Sequence, residues 1–233
     1  MELTAKDAAR LLDIPEDTIY QWIGNGTLPS YRVKDKYRLN RVELLEWATA
    51  RNMKVSPEIF RENGTKPPDF MLTDALRRGG VVYDLACTDK PSALKSVCDA
   101  LPLPPKVDRQ ELYSVLVARE ALCSTGIGQG IAIPHPRGPI VLGIPEPQVT
   151  LAFLRQPIDY GALDKKRVNI LFAIVSTTVH VHLLLLSHLM YALQNSDFRR
   201  LLDTKAMPEE LLKTLKEIEN HLENHKKAED GTP

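Results

Sequence analysis

STGIGQGIAIPHPR, residues 124–137, is the stretch on which the reading of this chain turns. A turn-rich, Gly-spaced loop runs into a short apolar strand, Ile131-Ala132-Ile133, and then presents Pro134 and His135. Small residues let backbone N–H groups come close to an anion, and such concavities bind phosphate. A histidine at the rim of one accepts a phosphoryl group as neutral imidazole, the form abundant near pH 7. The pattern points to phosphotransfer, and it requires a ring that a docking protein can reach, with room for three oxygens. Gly-rich loops are also ordinary punctuation, so the rest of the chain has to support the reading.

Outward from this stretch, from Leu72 on, helical and strand patterns alternate. The spacing predicts helices near 73–79, 91–101, 108–122, 180–194 and 208–223, and strands at 81–85, 130–134, 149–155 and 168–176. Strands interleaved with helices predict an α/β sandwich over a mixed sheet. In the last helix Leu211, Leu212, Leu215, Ile218 and Leu222 recur at helical spacing, which predicts packing on its own domain rather than on a second chain. The end of the sequence, 224–233, reads as a flexible tail.

The first fifty residues have a different texture. Ala5, Ala8, Ala9, Leu11, Leu12 and Ile14 form a helical stripe, and Thr4 followed three places on by Asp7 is an N-terminal capping signal. EDTIYQWI continues as a second helix after Pro15 and is stopped by Gly24, Gly26 and Pro29. YRVKDKYRLN alternates like a hairpin, and RVELLEWATARN closes the unit as a helix. Two short helices, a β-wing and a supporting helix make a winged helix-turn-helix pattern. Arg32, Lys34, Lys36, Arg38 and Arg41 crowd the wing against Asp35 alone, a phosphate-contacting strip for double-stranded DNA. On the second helix Thr18, Tyr20 and Gln21 are the candidate contacts, while Glu16 and Asp17 beside them repel phosphates unless set over the open groove. Residues 51–71 lose periodicity, gather Pro57, Gly64, Pro67 and Pro68, and read as a linker.

Composition sets the limits. The 233 residues carry zero formal net charge and 43% hydrophobic content, so only local charge can speak about partners. Cys87, Cys98 and Cys123 show no CxxC spacing and read as buried thiols of a reducing compartment. The acidic, mixed N-terminus lacks a secretory apolar run, and stretches such as NILFAIV at 169–175 are too short to span a bilayer. A cytoplasmic protein with no membrane insertion and no cofactor is expected. The His180–His182 spacing does not share a helical face, so no metal site is expected.

Two resemblances sharpen this. The stretch TAKDAARLLDIPEDTIYQWIGNGTLPSYRVKDKYRLNRVELLEWA resembles the excisionase-type DNA-binding domain of the MerR-like superfamily; a departure is Pro15, where that family often has a capping Ser. Residues 72–223, with ARE at 118–120, STGIGQGIAIPH at 124–135 and VHLLLLSHL at 181–189, resemble the EIIA domain of the bacterial phosphotransferase system, fructose/mannitol and nitrogen-regulatory type. The resemblance implies an α/β sandwich, His135 as acceptor of a phosphoryl group from a phosphorylated HPr-like carrier, and His182 as the histidine beside it. It also gives Arg119 motif support as a charge-assisted phosphate contact; Arg137, two residues beyond His135, is a weaker second choice.

On physical grounds phosphoryl transfer between proteins needs in-line positioning and donors for the equatorial oxygens. The amides of Thr125–Gly130, with Gly126, Gly128 and Gly130 clearing the way, and the hydroxyls of Ser124 and Thr125 are the expected phosphate binders. His180 and His188 read as structural. The expectation is a regulator of nitrogen, carbon or transcriptional control that joins a phosphoacceptor to a DNA reader. The alternatives are a sugar-uptake phosphocarrier passing phosphate to a separate EIIB, and a scaffold whose first module binds protein. A hydrolase lacks its carboxylate or nucleophilic Ser motif. A homodimer would suit a helix-turn-helix protein, yet no heptad seam specifies one.

Overall fold

The computed structural model describes residues 2–33, 36–51, 53, 55–56, 70–136, 144–162 and 164–230. Lys34 and Arg137, both named above, and most of the expected linker lie outside them. The chain divides into two compact units, 1–68 and 69–233.

The first unit opens with a two-residue strand β1 (Glu2–Leu3) and helix α1 (Ala5–Leu12). The Thr4–Asp7 capping box forms in both directions, and it holds the Asp7 carboxyl below its usual range. Asp13 closes α1 in the left-handed region, φ 53°. Helix α2 (Glu16–Gly24) follows with Pro15 at its N-cap, one place before the first turn, and no side chain caps it. Strands β2 (Tyr31–Val33) and β3 (Lys36–Asn40) pair antiparallel, β1 joins β3 on the other side, and α3 (Arg41–Ala50) completes the unit. Trp22 and Trp47 meet with ring centroids 5.0 Å apart and planes tilted by 48°, and the Trp47 indole N–H donates to the Thr27 carbonyl at 2.7 Å, pinning the turn after α2.

The second unit is the sandwich. Its sheet runs β4 (Val81–Leu85), β7 (Gln148–Ile158), β8 (Val168–Val175), β6 (Ile131–Ala132), β5 (Gly126–Gly128), with β4–β7 and β6–β8 parallel and the other pairs antiparallel. Strand alternation splits the core into two layers. Ala132, Ala152, Leu154, Leu171, Ala173 and Val175 pack with α5 (Lys90–Ala100) and α6 (Arg109–Leu122). The opposite parity includes Phe153, which stacks on Tyr83, whose hydroxyl donates to the Ala206 carbonyl. That face carries α4 (Leu72–Gly79), α7 (Val179–Ala192), α8 (Ser196–Asp203) and α9 (Pro208–Asp230). Gly79 has to be glycine, because a Cβ there would collide with the Val149 carbonyl.

Three differences from the sequence reading have local causes. Helix α8 was not foreseen; it is one short amphipathic piece capped by Asn195. Helix α9 continues to Asp230, past the expected end at 223. Strand β5 is a GIG triplet without side-chain alternation, so the loop 126–130 is in fact a hairpin with β6.

Candidate functional site

His135 is positioned by three elements. The chain leaves β6 still extended: Ile133 N–H donates to Thr125 O at 3.0 Å, and Ile174 N–H to Pro134 O at 3.0 Å. Parity places His135 on the same face as Ile131 and Ile133, at the C-terminal ends of the parallel pair β6–β8, where ligands gather in α/β sheets. Beyond β8 the chain turns at Ser176 and starts α7, whose Thr178 cap accepts from Val181 N–H. His182 in the first turn of α7 meets His135 with ring centroids 5.0 Å apart and planes tilted by 50°. The structure thus brings together the two histidines that 47 positions separate in sequence. First-turn amides and the helix dipole beside them favour an anion.

The His135 tautomer follows from its partner. Nδ1 lies 2.6 Å from Ile133 O, which only accepts, so Nδ1 carries the proton and Nε2 keeps the lone pair. Both rings are buried, at 2% and 1% exposure, against the expectation of a reachable ring. The parity that sends His135 inward onto α7 is the cause.

The expected phosphate binders divide. Arg119 is buried and its NH1 donates to Cys123 O at 2.8 Å, on the turn beside the site. Ser124 donates to Tyr160 O at 3.2 Å and accepts from Gly126 N–H at 3.2 Å. Thr125 is committed to Glu120: amide to Oε2 at 3.0 Å and hydroxyl to Oε2 at 2.6 Å. Gly128 and Gly130 are at the tip of the hairpin, the end away from His135, with φ of +92° and +80°. There Gln129 N–H donates to Asp164, and a Cβ on Gly130 would stand 2.5 Å from Asn169 Oδ1. In this structure those two glycines serve the turn, and they do not line a cradle at the histidine.

Glu120 is the residue whose role the sequence left unassigned. Its side chain is 5% exposed; Lys90 Nζ stands 3.1 Å from Oε1, and over the Tyr160 ring at 5.1 Å. The Tyr160 hydroxyl lies 3.3 Å from Thr125 Oγ1. Burial, then the Glu120 charge, pushes the Tyr160 phenol up, so it stays protonated. A carboxylate in the last turn of a helix opposes the dipole, and that was the available signal.

The cysteines need one correction. Cys123, expected to be buried, is exposed at the C-cap of α6, while Cys87 and Cys98 are buried. Burial pushes the Cys98 thiol up to about 12. His180 is buried, and neither ring nitrogen has a hydrogen-bond partner among the described residues. His188 Nδ1 lies 2.9 Å from Glu219 Oε1. A groove lined by Tyr191, Gln194, Asn195, Ile218 and His221 lies at the far end of α7, roughly 15 Å along the helix from His182.

In the first unit, Tyr20 and Gln21 are exposed and Thr18 is half-buried. Arg32 and Lys36 are exposed, Arg38 is half-buried, and Arg41, expected in the strip, is buried at the start of α3. Arg32 sits over the Tyr37 ring at 5.0 Å, and Tyr37 meets Tyr20 edge-on at 6.2 Å, so helix and wing share one aromatic contact.

The family described as phosphoenolpyruvate-dependent sugar phosphotransferase system, EIIA 2, matches residues 75–218. The chain belongs to this family. Residues 2–52 match a helix-turn-helix domain in addition to the EIIA 2 domain. A nitrogen regulatory protein of Pseudomonas aeruginosa is 36% identical over 118 residues, 50% of this chain and 75% of that protein. A fructose-specific EIIABC component of Bacillus subtilis is 28% identical over 55% of this chain and 20% of its own length. Among solved structures, nitrogen regulatory protein IIA-Ntr from Neisseria meningitidis superposes with TM-score 0.54 at 27% identity, covering 62% of this chain and 98% of that one. No helix among the described residues is long and apolar enough to cross a membrane.

Proposed function

We propose that the EIIA 2 domain of this chain takes a phosphoryl group onto His135 Nε2 from the phosphohistidine of an HPr-like carrier, and that this controls a DNA-binding unit. The observation that carries the reading is the His135 ring, its Nδ1 proton held by Ile133 O and its face set against His182 at the start of α7. The Nε2 lone pair attacks phosphorus while the carrier's N–P bond breaks and its electron pair returns to the carrier's imidazole. His182, when protonated, and first-turn amides of α7 take the charge of the equatorial oxygens. Arg119 offsets the remaining charge. Because the ring is buried, a local opening that uncovers Nε2 precedes transfer.

The match to nitrogen regulatory proteins supports regulation as the output, and the helix-turn-helix unit with exposed Arg32 and Lys36 supports duplex DNA as a second partner. The setting is a cytoplasmic one. The match to a fructose-specific component favours a second reading, in which His135 passes phosphate on to a separate EIIB. Incubating the full chain with a phosphorylated HPr-like protein decides the site: the wild type takes up label and His135→Ala takes up none. Label retained in His135→Ala would remove the assignment.

A further inference from the structure

We infer that Glu120 is a positioning residue for the phosphoacceptor: through Thr125 and Ile133 its buried carboxylate fixes the hydrogen bond that leaves Nε2 of His135 as the nucleophile. The inference rests on the reading of His135 given above and deepens it. Four hydrogen bonds, in three successive links, join the carboxylate to the imidazole. Thr125 donates its amide and hydroxyl to Glu120 at 3.0 and 2.6 Å, Ile133 N–H donates to Thr125 O at 3.0 Å, and His135 Nδ1 donates to Ile133 O at 2.6 Å. Only two residues, both held by their backbone, stand between the ends.

The carboxylate is well placed to hold such a relay. A buried charge stays in place only if it is paired and hydrogen-bonded, and Glu120 is both, with Lys90 closing its other oxygen at 3.1 Å. Tyr160 backs the Thr125 hydroxyl at 3.3 Å. The turn from Cys123 to Thr125 is tied from the neighbouring side by Arg119. With Thr125 fixed, the Ile133 carbonyl cannot drift, and the tautomer of His135 is set before a carrier arrives. Without Glu120, two buried donors of Thr125 lose their acceptor, and the strand end that carries Ile133 loses its anchor.

The test uses the full chain with nitrogen-labelled histidine and two readouts: the His135 tautomer from nitrogen-resolved NMR, and the rate of label uptake from a phosphorylated HPr-like protein. Glu120→Gln keeps an acceptor for Thr125, and is expected to hold the Nδ1–H tautomer with uptake close to wild type. Glu120→Ala is expected to mix the tautomers and slow uptake roughly tenfold, the factor that loss of a charge-assisted hydrogen bond gives. A Glu120→Ala chain with wild-type tautomer and uptake overturns the proposal. So does a Glu120→Gln chain as impaired as Glu120→Ala, since the effect would then lie in charge and not in the relay. If Glu120→Ala does not fold by circular dichroism, Glu120→Leu, which fills the same space without an acceptor for Thr125, replaces it: slower uptake with a mixed tautomer supports the relay, and wild-type values overturn it. A wild-type chain that takes up no label ends the phosphoacceptor reading instead, and the tautomer comparison still decides the role of Glu120.

Discussion

Glu219 shows how much one side chain can fasten. It is 1% exposed and takes hydrogen bonds from Leu72 N–H, Thr73 N–H, the Thr73 hydroxyl and His188, so one carboxylate of α9 caps α4 and grips α7. Burial raises its pKa, but the bonds from His188, Thr73 and Leu72 outweigh that and hold the carboxyl below its usual range. A folded pKa below the unfolded one gives stability that is present above the ordinary Glu value, near 4.3, and is lost as pH falls through the depressed one. Glu219→Gln should therefore flatten the acid limb of a melting-temperature profile below about pH 4.3. Glu219→Ala should cost about 3–5 kcal/mol in urea unfolding, since it strands buried donors; a loss under 1 kcal/mol would contradict the cap. At this scale the sequence announced His135 and His182 through their motifs. It read His188 as structural but could not announce its partner Glu219, because the two lie far apart along the chain and meet only after folding.

Elements with strong end signals were legible. Thr4–Asp7 starts α1 as expected, and α5 begins within one residue of the expected position, capped by an Asp89–Ser92 box that the structure adds. Strands β4, β6, β7 and β8 of the sandwich were read from alternating or continuous apolar runs, although β6 spans only Ile131–Ala132 of the expected 130–134; their order in the sheet was not, since pairing depends on contacts between distant segments. The Gly-rich loop was the ambiguous element: glycine serves close approach to an anion and positive φ in a turn equally well. The structure spends Gly128 and Gly130 on the turn. Gly130→Ala puts a Cβ in a left-handed position 2.5 Å from Asn169 Oδ1, a strain of about 1–3 kcal/mol. That should lower the melting temperature of the second unit by a few degrees, with label uptake at His135 intact below the transition. Lost uptake at an unchanged melting temperature would return the hairpin tip to the phosphate site.

At the scale of the whole molecule the chain joins two compact units, 1–68 and 69–233, each with its own core. The zero net charge gives no general attraction for DNA, so affinity has to come from local cations of the wing. Three described wing residues, Arg32, Lys36 and Arg38, are open to solvent at least in part. If each meets a phosphate, log affinity for random duplex should fall against log salt with a slope of about −2.7. A slope near zero would favour the protein-binding reading of this unit. Phosphorylation at His135 adds a charge of about −2 to the other unit at pH 7. Repulsion of the duplex by that charge is screened by salt, so the phosphorylated chain should bind more weakly, most of all at low salt. Titrating one duplex with the chain before and after treatment with a phosphorylated HPr-like protein measures both quantities. Equal affinities at low salt would uncouple the two units.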